Sequence, residues 1–191
     1  NGFKQDIEEI AKIAHKKGSL ILVDSYQCLG TEPVDVKKMN IDILTSGCLK
    51  YLFGIPGIAF IYVNKDLVQY LKPTVTGWFG QEDPFLFQSR YLDWSITASR
   101  LDTGTPPVIN AYAAREGLKI INEVGVERIK DRIDMLSAYA LKGCLDRGLI
   151  CVSPFDVNKK GPTTAILLPE GITGHDMEVE LKKRNIIGSG R

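Results

Sequence analysis

An aspartate and a lysine each follow a short apolar run, and together their side chains could do covalent chemistry on a carbonyl compound. Asp24 directly follows residues 20–23, and Lys50 closes the segment that begins with residues 41–44. A lysine amine can hold an aldehyde as an imine, and a carboxylate can keep a nearby ring nitrogen protonated. The two residues therefore predict a covalent site at the ends of neighbouring strands.

The elements that must position this pair alternate between helix and strand. Apolar residues recur at helical spacing from Ile7 to Ala14, and Gly18 then suits a helix end. Three short runs follow at residues 20–23, 41–44 and 58–63, apolar throughout except for Asp42. Continuous apolar runs are typical of strands buried on both faces of a sheet flanked by helices. The pattern predicts an α/β fold.

The second half of the chain changes character. Residues 72–107 have little periodicity but many aromatic side chains, which favours an ordered functional loop over disorder. Helices are predicted over residues 107–122 and 126–147, and two short strands and a last helix, at residues 150–152, 164–168 and 176–184, follow them. We expect a large domain over residues 1–122, and a helical connection with a small α+β domain over residues 123–191.

Composition and charge narrow the function classes. The 191 residues are 44% hydrophobic and 25% charged, with a formal net charge of +1. These values favour a globular core and give no electrostatic reason to expect nucleic acid or an anionic membrane as partner. The apolar runs are too short to span a bilayer. The four cysteines have no metal-ligand spacing, so we expect reduced thiols, no metal site and a cytoplasmic location.

Both ends of the chain resemble the interior of a longer sequence. It begins with Asn1 and Gly2, a turn-like pair, and stops at residues 188–191 directly after a helix and a short apolar step. We therefore expect this chain to be part of a longer protein.

Four segments, in matching order and at similar spacings, resemble the class V aminotransferase family of fold type I pyridoxal-phosphate enzymes. They are VDSYQ at 23–27, SGCLKY at 46–51 followed by Gly54 and Pro56-Gly57, GWFG at 77–80 and GTPP at 104–107. Among the branches of the family, the kynureninase branch is the most similar. The resemblance covers most of residues 1–150. It implies a three-layer α/β fold around a mostly parallel sheet. It also implies that a missing N-terminal part carries the rest of the cofactor pocket.

The resemblance implies roles for three residues near the predicted strand ends. Lys50 would form a Schiff base with pyridoxal 5'-phosphate and, once freed by substrate, would move protons at the substrate's alpha carbon. Asp24 would pair with the ring nitrogen of the cofactor. Gln27 would donate its amide hydrogen to the phenolic oxygen of the ring.

The resemblance also implies a homodimer with a shared active site, and an amino acid as the small-molecule substrate. Trp78 and Thr105 match positions that contact the cofactor phosphate, and at least one of them would come from the neighbouring subunit. The arginine that grips the substrate carboxylate would lie beyond the end of this chain.

The sequence departs from two branches of the family at particular positions. Leu49 stands where kynureninases have tyrosine and cysteine desulfurases have histidine. Gln81 stands where kynureninases have histidine, which argues against kynurenine as substrate. Residues 188–191 contain no cysteine where a desulfurase would place its catalytic one. Aminotransfer is therefore the first prediction, ahead of kynureninase-like hydrolysis and of cysteine desulfuration or lyase chemistry.

Plainer interpretations exist for each residue. From pattern alone, Lys50 is a solvated lysine, and Asp24 and Thr105 are helix N-caps. Cys48 is a packed apolar residue, and the two histidines, His15 and His175, lie on the surface. A hypothesis of another class is that the chain is a noncatalytic member of the fold, serving as an interaction subunit. Such a subunit has no need to keep Asp24, Gln27 and Lys50 together.

Overall fold

The computed structural model describes residues 1–87 and 89–190, and these form two compact units. The N-terminal unit comprises residues 6–130, and the C-terminal unit comprises residues 1–5 together with those from Asp131 onward. The predicted domain boundary at residue 122 stays a prediction.

The helices and the first three strands follow the predicted order, with bounds that shift by a few residues. They are α1 Ile7–Lys16, β1 Leu22–Asp24, β2 Ile43–Gly47, β3 Ala59–Val63, α2 Lys65–Val68, α3 Val108–Val124, α4 Val126–Leu145 and α5 Gly174–Lys183. The short helix α2 was not predicted. Short 3-10 helices lie at Trp78–Gly80, Pro84–Leu86, Ala98–Leu101 and Val157–Lys159.

The three strands form one sheet in the order β1, β2, β3. β1 pairs parallel to β2, with Asp24 opposite Thr45, and β2 pairs antiparallel to β3, with Gly47 opposite Ala59. The predicted α/β class is confirmed, and within the described residues the sheet is mixed rather than all parallel. The parallel pair matters most, because both of its strands end at the same edge.

The helix α1 is fixed at both ends. The Asp6 side chain caps its start by accepting from the Glu9 N–H at 3.0 Å. In its last turn, His15 Nε2 lies 2.7 Å from Asp42 Oδ2, which also accepts the Ile21 N–H at 2.8 Å. His15 was predicted on the surface, but this contact half-buries it. The contact joins α1 to the residues that precede β1 and β2.

The core of the N-terminal unit packs α3 against the loop that follows β2. Its buried members are Cys48, Leu52, Ala114 and Ile121, with Leu29, Ile58 and Ile129 packed around them. A Cβ added at Gly117 of α3 would overlap the carbonyl oxygen of Leu52. Helix and loop therefore approach more closely here than any side chain would allow.

The strands are less buried than their apolar sequences predict. Leu44 and Ser46 of β2 are each 2% exposed, whereas Leu22 of β1 is 60% exposed and Phe60 of β3 is 41% exposed. The prediction of burial on both faces is therefore wrong for the two outer strands. β2 has a strand on each side, and β1 and β3 have one neighbour each among the described residues.

The C-terminal unit contains most of α4, the 3-10 helix Val157–Lys159, α5 and two isolated antiparallel bridges. The two strands predicted at 150–152 and 164–168 are absent as strands, and a single bridge between Cys151 and Ile166 stands in their place. The ladder stops because the Ala165 N–H donates to the Ser153 side chain at 2.8 Å instead of continuing a backbone pattern. The last helix, α5, begins with a capping box between Thr173 and Asp176.

A buried lysine holds the C-terminal unit together. Lys160 is 6% exposed, and its ammonium group donates to the hydroxyls of Ser137 and Thr164 and to the Thr163 carbonyl. Burial lowers the pKa of Lys160 below its usual value, and the charge of Asp134 opposes that shift. Several oxygen acceptors thus offset the desolvation of one cation.

We expect Gly117→Ala to lower the free energy of unfolding by about 1–3 kcal/mol, because backbone atoms of Leu52 and Phe53 fill the space that the new Cβ needs. Gly143→Ala in α4 is the matched control, since only the far end of the Arg147 side chain comes near. That control should be neutral or stabilising by up to about 1 kcal/mol. Urea denaturation of the full-length protein measures both, and equal stabilities would contradict the tight packing.

Candidate active site

A cavity of about 380 Å³ lies at the edge of the sheet where β1 and β2 both end. Asp24 is the last residue of β1, and Lys50 follows the last residue of β2 by three positions. Both side chains line the cavity, together with Tyr26 and Gln27. The structure thus brings together the three residues predicted near the strand ends, and it adds Tyr26.

The turn after β1 is locked onto β2 by Ser25, which is buried. Its N–H and its hydroxyl both donate to the Thr45 carbonyl oxygen, at 2.9 and 3.0 Å. The next residue, Tyr26, donates its N–H to Asp24 Oδ1 at 2.9 Å. That hydrogen bond holds the carboxylate in a defined orientation at the end of the strand.

The loop after β2 presents Lys50 to solvent while its base stays in the core. Cys48 is 3% exposed, and its carbonyl accepts the Gly54 N–H at 2.7 Å. Phe53 has a positive φ of 56°, which closes the loop tightly, and its N–H donates to the Lys50 carbonyl at 3.2 Å. Burial raises the pKa of the Cys48 thiol, which keeps it protonated, and its interpretation as a packed residue is confirmed.

Tyr26 is the cavity residue that the sequence reasoning missed. Lys50 Nζ lies 5.0 Å from the centroid of the Tyr26 ring, within the range of a cation–π contact. The sequence did contain a sign of this contact, because Tyr26 lies between Asp24 and Gln27, two residues predicted at the site.

The two residues expected to contact a phosphate, Trp78 and Thr105, lie elsewhere. Neither is among the described residues that line the cavity. The indole N–H of Trp78 donates to the Pro84 carbonyl, and its ring contacts Phe85 and Phe87 at centroid distances of 6.1 and 5.5 Å. Thr105 is exposed. In this chain, Trp78 would have to leave Pro84 to reach a ligand.

Arg100 organises the long segment that carries Trp78. Its side chain is buried and donates to three backbone carbonyls, those of Ser95, Val68 and Leu71, at 2.8, 2.6 and 2.9 Å. The Trp94 indole N–H donates to Thr76 Oγ1 at 2.9 Å. The segment is therefore irregular but hydrogen-bonded, as the aromatic content predicted.

The second histidine and the possible metal-binding or membrane-spanning segments add no further candidate site among the described residues. His175 is exposed in the first turn of α5, which confirms its predicted surface position. In the part of the chain that the structure describes, no group of three or more His, Cys, Asp or Glu side chains is placed to bind a metal ion. No helix among residues 1–87 and 89–190 is long and apolar enough to cross a membrane.

Replacing Arg100 with methionine should release the backbone of residues 68–71 and of Ser95. The free energy of unfolding should fall by about 2–3 kcal/mol, because buried carbonyls lose a charged donor. Limited proteolysis should then cut the segment carrying Trp78 faster. Arg90→Met, at an exposed position of the same segment, is the control and should change stability by less than about 0.5 kcal/mol. Equal protease resistance of the two variants would refute the anchoring role.

Comparison with known proteins gives a consistent set of matches. The family model described as aminotransferase class-V matches residues 1–190. An uncharacterized aminotransferase, YcbU of Bacillus subtilis, is 44% identical over 149 residues, which is 78% of this chain and 39% of that protein. A kynureninase of Pseudomonas fluorescens is 26% identical over an alignment that covers 100% of this chain and 46% of the relative.

Among solved structures, the apo structure of a cysteine desulfurase from Thermococcus onnurineus superposes with a TM-score of 0.88 at 25% identity. The match covers 97% of this chain and 46% of that one. The chain therefore spans less than half the length of these three proteins, while nearly all of it takes part in the matches with the kynureninase and the desulfurase.

Proposed function

This chain belongs to the class V aminotransferase family, and we propose that the protein is a pyridoxal-phosphate-dependent enzyme that acts on the alpha-amino group of an amino acid. The observation that carries the proposal is one cavity lined by an amine, a carboxylate and a side-chain amide, those of Lys50, Asp24 and Gln27.

The residues present fit the cofactor that the family uses. A volume of about 380 Å³ falls within the range of small-molecule sites in proteins. Lys50 supplies the amine for a covalent bond to the cofactor aldehyde, Asp24 a carboxylate for the ring nitrogen, and Gln27 an amide donor for the phenolic oxygen. When bound, the cofactor supplies an electron sink for negative charge that develops at the substrate's alpha carbon.

In this proposal, each side chain has one task. Lys50 holds the cofactor and, once released, carries a proton to or from the alpha carbon. Asp24, oriented by the Tyr26 N–H, holds a proton on the ring nitrogen. Gln27 orients the ring by donating a hydrogen bond to its oxygen.

Aminotransfer is the reaction we favour. Its support is the 44% identity to a relative named as an uncharacterized aminotransferase, against 26% to a kynureninase. Leu49, beside Lys50, offers no hydrogen-bonding group where the two competing branches have tyrosine or histidine. Kynureninase-like hydrolysis and cysteine desulfuration or lyase chemistry remain the alternatives, since one lysine serves all these reactions.

The noncatalytic hypothesis is tested by the same residue. Adding pyridoxal phosphate to the full-length protein should give a visible absorption band, and borohydride should fix the cofactor on Lys50, as mass spectrometry of peptides would show. Lys50→Ala should lose both, because no other amine lines the cavity among the described residues. Lys65→Ala, at an exposed lysine of α2, should keep both. A wild-type protein without the band would make an interaction subunit the leading function.

We also propose a homodimer in which Trp78 and Thr105 complete the cofactor site of the neighbouring subunit. Its support is the exposed aromatic cluster of Trp78, Phe85 and Phe87, of which Phe85 is 67% and Phe87 71% exposed. Exposed aromatic side chains at this density are typical of protein interfaces. The cytoplasm is the proposed location, because none of the four cysteines forms a disulfide among the described residues.

The oligomeric state of the full-length protein should depend on this aromatic cluster. We expect sedimentation velocity to give a dimer for the wild type and a shift toward monomer for the double variant Phe85→Ser, Phe87→Ser, because the interface loses two large apolar groups. Tyr139→Ser, which changes an exposed aromatic residue of α4, should leave the dimer intact. A monomeric wild type would contradict the shared site.

A further inference from the structure

Tyr26 has contacts that no role described above requires. It lies between Asp24 and Gln27 in the turn after β1, and its ring lines the same cavity. Its backbone N–H is already bound to Asp24, so the orientation of Asp24 does not depend on the ring. The side chain is therefore free to serve another group in the cavity.

The ring faces the amine of Lys50. Nζ lies 5.0 Å from the ring centroid, and no carboxylate among the described residues lies within ion-pair distance of that amine. The negative face of an aromatic ring attracts an ammonium group. In this structure, the ring is thus the electrostatic partner that keeps the flexible lysine side chain at the cavity.

The Tyr26 ring packs against Gly47, the last residue of β2. A Cβ added there would overlap three atoms of Tyr26, namely Cε2, Cζ and the hydroxyl oxygen. A side chain larger than hydrogen at this position would push the ring away from its place. The end of β2 therefore fixes the ring, and the ring in turn faces the lysine that follows the same strand.

We propose that Tyr26 is the positioning residue of Lys50: its ring, seated on Gly47, holds the amine at the cavity shared with Asp24 and Gln27. This inference rests on the proposed function for its purpose, which is to direct the amine at the aldehyde of the cofactor. The contact itself belongs to the cofactor-free protein, so it can be tested without any activity.

The first measurement is competitive acylation of the full-length protein without cofactor. A limiting amount of acetic anhydride is added, and mass spectrometry compares the labelling of Lys50 with that of Lys65 as an internal reference. Tyr26→Leu should make Lys50 react about two- to five-fold faster, because an exposed cation–π contact contributes that much. Tyr26→Phe keeps the ring and should match the wild type.

Gly47→Ala provides a second way to remove the contact between the Tyr26 ring and Lys50. It displaces the ring without changing either Tyr26 or Lys50, so it should also speed the acylation of Lys50. In the double variant Tyr26→Leu, Gly47→Ala, Lys50 should be acylated no faster than in Tyr26→Leu alone, because the two changes remove the same contact. Circular dichroism of each variant establishes that the fold is retained.

The second measurement is the rate at which the visible band appears after pyridoxal phosphate is added. If the ring directs the amine into the cavity, Tyr26→Leu should slow this rate about two- to five-fold while it speeds acylation. Such opposite changes are not expected of general damage to the fold. Tyr26→Phe should again restore the wild-type rate.

The outcomes separate the inference from the function on which it rests. Unchanged acylation in Tyr26→Leu, or a Tyr26→Phe variant that behaves like Tyr26→Leu, would overturn the role of the ring. Faster band formation in Tyr26→Leu would overturn it as well, since the ring would then only shield the amine. A wild-type protein with no band would refute the proposed function, and acylation would still decide whether Tyr26 holds Lys50.

Discussion

The parallel pairing of β1 with β2 is the constraint on which the site depends. Because Asp24 stands opposite Thr45 and both strands run the same way, the residues that follow each strand emerge at one edge of the sheet. An antiparallel pair would have placed the carboxylate and the amine at opposite edges. The double hydrogen bond from Ser25 to the Thr45 carbonyl extends this pairing one residue beyond the strand.

Close packing behind the site keeps the lysine loop in place. Lys50 itself is exposed, but Cys48 and Leu52 on either side of it are buried against α3. The loop can approach the helix so closely because Gly117 has no side chain. An exposed amine on a buried base suits the proposed role of Lys50 as both anchor and proton carrier.

The cavity holds the side chains proposed to contact a cofactor's ring and aldehyde, while the residues expected to contact its phosphate lie elsewhere in the chain. Trp78 and Thr105 do not line the cavity, and the described chain spans less than half of the matched proteins. The proposed homodimer would explain the position of Trp78 and Thr105, because each subunit would present one set of contacts to its own cofactor and another to that of its partner.

The sequence by itself determined the α/β class and the order of the main helices and strands, because apolar runs are local signals. The expectation that Asp24, Gln27 and Lys50 share one site came from the resemblance to the family. Tertiary structure alone decided the rest. Cys151 and Ile166 form one bridge rather than a strand pair, because the Ser153 hydroxyl takes the next N–H. The ring of Tyr26 faces Lys50 because Gly47, distant in sequence, leaves room for it. Such contacts join residues far apart in the chain, and no local pattern encodes them.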